Sequence, residues 1–169
     1  VDWQYARVEV TVVAPNGDPV SGTEVTIGDR PFVTGENGKA VLDPADITQY
    51  QVSVSGTIED SIDIQQQGDI YELRIGDTGN ESGVSIDLLD NDGDKIWNLS
   101  GVLAGGGISA KSGQNGKITL VGRNSGSDTL VIGADSERFQ REEVPVSLTL
   151  GDTVTGILRM EQKQEPSTH

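Results

Sequence analysis

The chain has 169 residues, 27 of them acidic and 12 basic, for a formal net charge of −15, and it contains no cysteine. The missing thiols exclude disulfides, thiol catalysis and cysteine-held metals. The charge argues against nucleic acid and anionic lipid as partners, because such a surface repels phosphates. No stretch approaches the roughly 20 apolar residues of a membrane-spanning helix, so no membrane insertion is expected.

A polar arm, residues 1 to 7, carries Trp3 and Tyr5. Val8, Val10 and Val12 then alternate with Glu9 and Thr11, the period-two pattern of a half-buried strand. The alternation returns at Val25/Ile27, Ala40/Leu42, Val52/Val54, Ile62/Ile64 and Tyr71/Leu73/Ile75. Turn residues separate these runs at Pro15-Asn16-Gly17, Gly28-Asp29, Ser55-Gly56 and Gln67-Gly68, while Asn37-Gly38 predicts a tight hairpin. Only Asp43 to Ile47 tolerates a helix, at most one turn. Residues 76 to 83 lack apolar side chains and hold three glycines, the composition of a linker. Strand patterning resumes at Val84/Ile86/Leu88 and continues through Ile108/Ala110, Ile118/Leu120, Leu130/Ile132/Ala134, Val144/Val146/Leu148 and Leu158/Met160. Residues 161 to 169 are polar and are expected to be disordered or bound to a partner.

The two halves repeat one another. Asn16-Gly17-Asp18, Asn37-Gly38-Lys39, Gly68-Asp69 and Leu73-Arg74-Ile75 recur in order as Asp92-Gly93-Asp94, Asn115-Gly116-Lys117, Gly151-Asp152 and Leu158-Arg159-Met160. Short strands with frequent turns, written twice, predict an all-β protein of two tandem Ig-like or transthyretin-like β-sandwiches, residues 8 to 75 and 84 to 160.

Val8-Glu-Val-Thr-Val12, Pro19-Val20-Ser-Gly22, Gly38-Lys-Ala-Val-Leu42 and Tyr50-Gln-Val-Ser-Val54 resemble the carboxypeptidase regulatory-like domains, grouped with transthyretin-like sandwiches and the B-type domains of collagen adhesins. The second copy matches loosely, with Lys95-Ile96-Trp97-Asn98 in place of Pro-Val-x-Gly. The resemblance implies seven-stranded, non-catalytic spacer, stalk or adhesive modules. In B-type adhesin domains a Lys on the first strand often starts an isopeptide crosslink. Arg7 precedes that strand here and no Lys lies on it, so no crosslink is expected.

Few residues carry site chemistry. Asp87, Asp90, Asp92 and Asp94 could offer oxygens to Ca²⁺, but Lys95 stands where a calcium loop needs Gly and no bidentate Glu follows. A solvated turn is the favoured reading, with no metal and no cofactor expected. Asn80 and Asn98 head Asn-x-Ser glycosylation sequons, Asn80 in the exposed linker. Trp97 reads as core, with an exposed sugar-stacking ring as the other possibility. Trp3 and Tyr5 either pack on their own sandwich or dock a partner. As the only aromatic pair outside the repeats they are the candidate docking residues. Gly105 to Gly107 is not followed by Lys-Ser/Thr, so it is no phosphate cradle.

The only histidine is His169 and no Gly-x-Ser-x-Gly elbow occurs, so no enzyme is expected. The reading is a structural subunit at a cell or virion surface, a stalk, turret or fibre, held by self-assembly or a protein partner. The alternative is an adhesion module binding carbohydrate or a receptor. Only five Lys accompany the dispersed acids, a pattern resembling proteins of high-salt organisms.

Overall fold

The computed structural model describes residues 6–56, 58–65, 70–77, 79–105, 108–123 and 125–163. The first half forms β1 (Ala6–Val12), β2 (Glu24–Ile27), β3 (Arg30–Val33), β4 (Lys39–Ala45), β5 (Gln49–Val54), β6 (Ile58–Asp63) and β7 (Ile70–Ile75). The second forms β8 (Ser82–Leu89), β9 (Ser100–Leu103), β10 (Ser109–Lys111), β11 (Lys117–Gly122), β12 (Gly126–Ile132), β13 (Glu142–Leu148) and β14 (Thr153–Arg159).

Sheets β4-β1-β7 and β3-β2-β5-β6 make the first sandwich, and β11-β8-β14 and β10-β9-β12-β13 make the second, strand for strand in the same order. The central strand repeats too: β1 runs antiparallel to β4 and parallel to β7, as β8 does to β11 and β14. The fold class is therefore all-β, two tandem β-sandwiches, and among the described residues no sheet passes from one half into the other. Alternating Val8, Val10 and Val12 on β1, and Val84, Ile86 and Leu88 on β8, point into one connected apolar core that runs through both sandwiches.

Register corrects the alignment of the closing strands. Val12 pairs with Ile75, and its counterpart Leu88 pairs with Leu158, so Ile75 rather than Leu73 corresponds to Leu158. A shift of two residues keeps every side chain on its own face, so hydrophobic pattern could not detect it.

Three further expectations change. Asn37-Gly38 is a turn but closes no hairpin: it carries the chain from β3 in one sheet to β4 in the other. Only Gly38 takes positive φ there (75°), and the Asn37 side chain accepts the Lys39 N–H at 3.2 Å. The stretch from Asp43 begins no helix. β4 continues through Ala45, which is fully buried and pairs with Ala6. Residues 161 to 163 are not loose: Gln140 N–H donates to the Glu161 carbonyl at 2.8 Å and Lys163 N–H to that of Arg138 at 2.7 Å. Residues 164 to 169 lie outside the described residues.

Candidate functional site at the junction of the two sandwiches

β1 buries alternate residues, as one covered face requires, whereas β8 is buried from Ser82 through Ile86 on both faces. The second cover is the first sandwich. Its β1–β2 loop lies across the outer face of β8 and β11, against Gly83, Ser85 and Thr119, all buried. Small residues there are a steric requirement: a Cβ on Gly83 would lie 2.6 Å from Pro15 Cδ. The segment read as a linker is thus partly structural, since Glu81 and Ser82 are buried and Ser82 opens β8.

Polar contacts close the junction. Ser85 Oγ donates to Asp18 Oδ2 at 2.8 Å, Lys117 Nζ stands 3.6 Å from the same oxygen, and Asn16 N–H donates to Thr153 Oγ1 at 3.0 Å. Ser21 and Lys111 exchange two bonds, Ser21 Oγ to the Lys111 carbonyl at 2.7 Å and Lys111 N–H to the Ser21 carbonyl at 3.0 Å. Gln114 N–H donates to Glu36 Oε1 at 2.6 Å. Burial raises the Asp18 pKa, but the Ser85 and Asn16 hydrogen bonds and the Lys117 charge outweigh it and hold the carboxyl below its ordinary value.

A folded-state pKa below the unfolded one means that ionised Asp18 stabilises the protein above the ordinary carboxylate range. That contribution fades as pH falls through the folded value. Asp18→Asn should therefore cost about 1 kcal/mol or less at neutral pH and flatten the loss of stability on acidification. Urea melts along a descending pH series check this. An acid slope identical to wild type would remove Asp18 from the junction's energetics.

Beside these contacts lies an open groove of about 430 Å³ between the sandwiches. Equivalent positions of the two copies line it, Ser21 with Trp97, Gly22 with Asn98 and Glu36 with Gln114, and Lys111 lines it beside them. Trp97 is 60% exposed and is not core, because its neighbours Ile96 and Leu99 take the inward positions. Asn98 holds φ of 65° where the first copy has Gly22 at 67°, so the departure from Pro-Val-x-Gly keeps the backbone. Asn ranks after Gly in tolerating this left-handed conformation.

The remaining candidates are scattered. Asp90, Asp92 and Asp94 lie with carboxylate oxygens within 4.8 Å of one another, whereas Asp87 sits apart on β8. Asp90 Oδ1 accepts the Asp92 and Asp94 N–H groups at 2.9 Å, which accounts for the turn without a ligand. Asn80 and Asn98 are exposed, but the sequon serine of the first, Ser82, is buried. Trp3, Tyr5 and His169 lie outside the described residues. Arg7 stands on β1 rather than before it and pairs with Glu9 at 3.5 Å and Asp43 at 3.3 Å. Gly105 N–H donates to Asp128 Oδ1 at 2.8 Å. Two units this small made a shared interface between them plausible from the sequence, but sequence reasoning named none of its residues. Its one signal was the small outward residues of β8, Gly83 and Ser85, where β1 has Arg7 and Glu9.

Among the described residues, fold and site define a class: a tandem of two seven-stranded sandwiches joined by a packed polar junction. The chain matches no family model and no curated protein. Among solved structures it is similar to a minor pilin of Streptococcus agalactiae at 12% identity and TM-score 0.41, covering 97% of this chain and 99% of that one. A streptococcal ancillary pilin aligns at 10% identity and TM-score 0.40, over 98% of this chain and 64% of that one. A shaft pilin of Lactobacillus rhamnosus GG aligns at 8% identity and TM-score 0.38, over 96% and 100%. TM-scores this low assign neither family nor role, and the narrower carboxypeptidase regulatory-like or transthyretin-like assignment stays a resemblance.

Proposed function

We propose that this chain is a non-catalytic structural subunit at a cell or virion surface, acting as a rigid two-module spacer. The junction carries this reading. Two sandwiches sharing a core, hydrogen bonds and an ion pair cannot swing freely, so they transmit position and load as one body. The sequence adds support from chemistry, having no cysteine and a single histidine near its end.

Self-assembly or docking on a protein partner would suit such a subunit, with Trp3 and Tyr5 as the anchor. Removing residues 1–5 leaves β1 whole, so the variant should keep its β circular-dichroism signal and lose assembly in light scattering. Normal assembly of the truncated chain would rule the anchor out.

The excess of acids fits a protein that works in high salt. Self-repulsion at net charge −15 should lower stability in dilute buffer, and screening should relieve it. Melting temperature is expected to climb steeply over the first few hundred millimolar of NaCl, before general salting-out dominates. A flat response would end the high-salt reading while leaving the spacer intact.

A further inference from the structure

We propose that the junction groove is a binding site for a neutral oligosaccharide, seated on the Trp97 ring between the two sandwiches. Trp97 is 60% exposed and Val33, also lining the groove, is 67% exposed, so the groove offers apolar surface to a ligand. The indole is held outward by its frame. Ile96 N–H donates to the Leu88 carbonyl at 3.1 Å and Asn98 N–H to the Ser112 carbonyl at 2.9 Å, while Ile96 and Leu99 are locked into the core on either side. An aromatic ring exposed to water on a fixed backbone, with no role in the core, is arranged for contact.

Around it stand the planar polar side chains of Asn98, Glu36 and Gln114. A pyranose combines these two chemistries in one molecule: a C–H face that packs on an indole and a rim of hydroxyls that pair with amides and carboxylates. Lys111 balances the Glu36 carboxylate within the groove, and the protein's net charge of −15 disfavours the approach of anionic glycans, which favours neutral sugars. The site is also pre-formed. Bonds from Ser21 to Lys111 and from Gln114 to Glu36 fix the groove's residues, so little ordering entropy opposes binding. This inference is independent of the spacer reading, since a spacer that binds no sugar remains a spacer.

The test is titration of the full chain with neutral cello-, malto- and chito-oligosaccharides, followed by amide and indole NMR shifts. Trp97→Phe assigns the indole against that of Trp3. We expect saturable shifts of the Trp97 indole and of the Asn98 and Gln114 amides with at least one series, and binding ~10-fold weaker or worse in Trp97→Ala. Gln114→Ala should weaken binding more mildly. Both positions are exposed, so an unchanged circular-dichroism spectrum keeps the loss attributable to the groove. Absence of saturable shifts in every series, binding that Trp97→Ala leaves unchanged, or Trp97-dependent capture of apolar peptides without sugars would each overturn the proposal.

Discussion

Gly76→Ala is expected to destabilise the protein by about 3 kcal/mol or more, lowering the melting temperature by roughly 6–12 °C at this chain length. Gly76 follows β7 directly and holds φ of 116°, a region open essentially to glycine. A Cβ there would fall on the Val13 carbonyl, 1.6 Å from its oxygen, with Val121 of the second sandwich 3.4 Å away. Movement to relieve that overlap must disturb the path between the sandwiches or the bond from Val13 N–H to the Ile75 carbonyl (2.8 Å). Gly17→Ala is the control: φ is 94° but nothing lies within 4 Å of the added methyl, so only backbone strain is felt. Thermal melts of the two variants separate strain from collision. A Gly76→Ala protein no less stable than Gly17→Ala would show that the overlap relaxes freely and that this crossing is not a tight point.

The second large effect is at a buried hydroxyl present in both copies. Thr34 Oγ1 donates to the Val20 carbonyl at 2.8 Å and accepts the Thr23 N–H at 3.1 Å. Ser112 Oγ does the same with the Ile96 carbonyl at 2.8 Å and the Leu99 N–H at 3.0 Å. Both residues are buried, so removing the oxygen leaves backbone groups without water to replace it. Thr34→Val and Ser112→Ala should each cost about 1–3 kcal/mol. The two costs should nearly add, since the sites lie in different sandwiches and share no bond. Thr34→Ser should be mild, because the second copy already uses serine. Denaturant melts of wild type, the three single variants and the Thr34→Val/Ser112→Ala double variant decide the matter. If Thr34→Val matches wild type within about 0.5 kcal/mol, the hydroxyl is incidental.

This hydroxyl also shows why part of the design was hard to read. Thr34 and Ser112 sit just before turns whose Gly, Asn and Lys are the stronger signal, and their role depends on carbonyls 14 and 16 residues away. Strands β3 and β9 were missed for related reasons. β3, Arg-Pro-Phe-Val, is an exposed edge with no buried face to impose alternation. β9 is four residues long and contains Gly101, where an added Cβ would lie 2.6 Å from the Ile118 side chain. A strand whose middle must stay empty leaves little hydrophobic signal.

What the amino-acid order determined by itself was the part governed by short-range periodicity and backbone conformation. Branched apolar residues at every second position, valines on β1 and Val84, Ile86 and Leu88 on β8, required half-buried strands, and recurring Gly and Asn required the turns, so the all-β class and the duplication were legible. Tertiary structure decided everything that depends on one half meeting the other. Gly83 and Ser85 look like linker and surface positions until Pro15 and Asp18 are placed upon them. Trp97 looks like core until Ile96 and Leu99 fill the inward positions first. Contact between surfaces distant in sequence leaves no period to detect, because it is set by the rotation of one sandwich against the other and not by the rise of a strand.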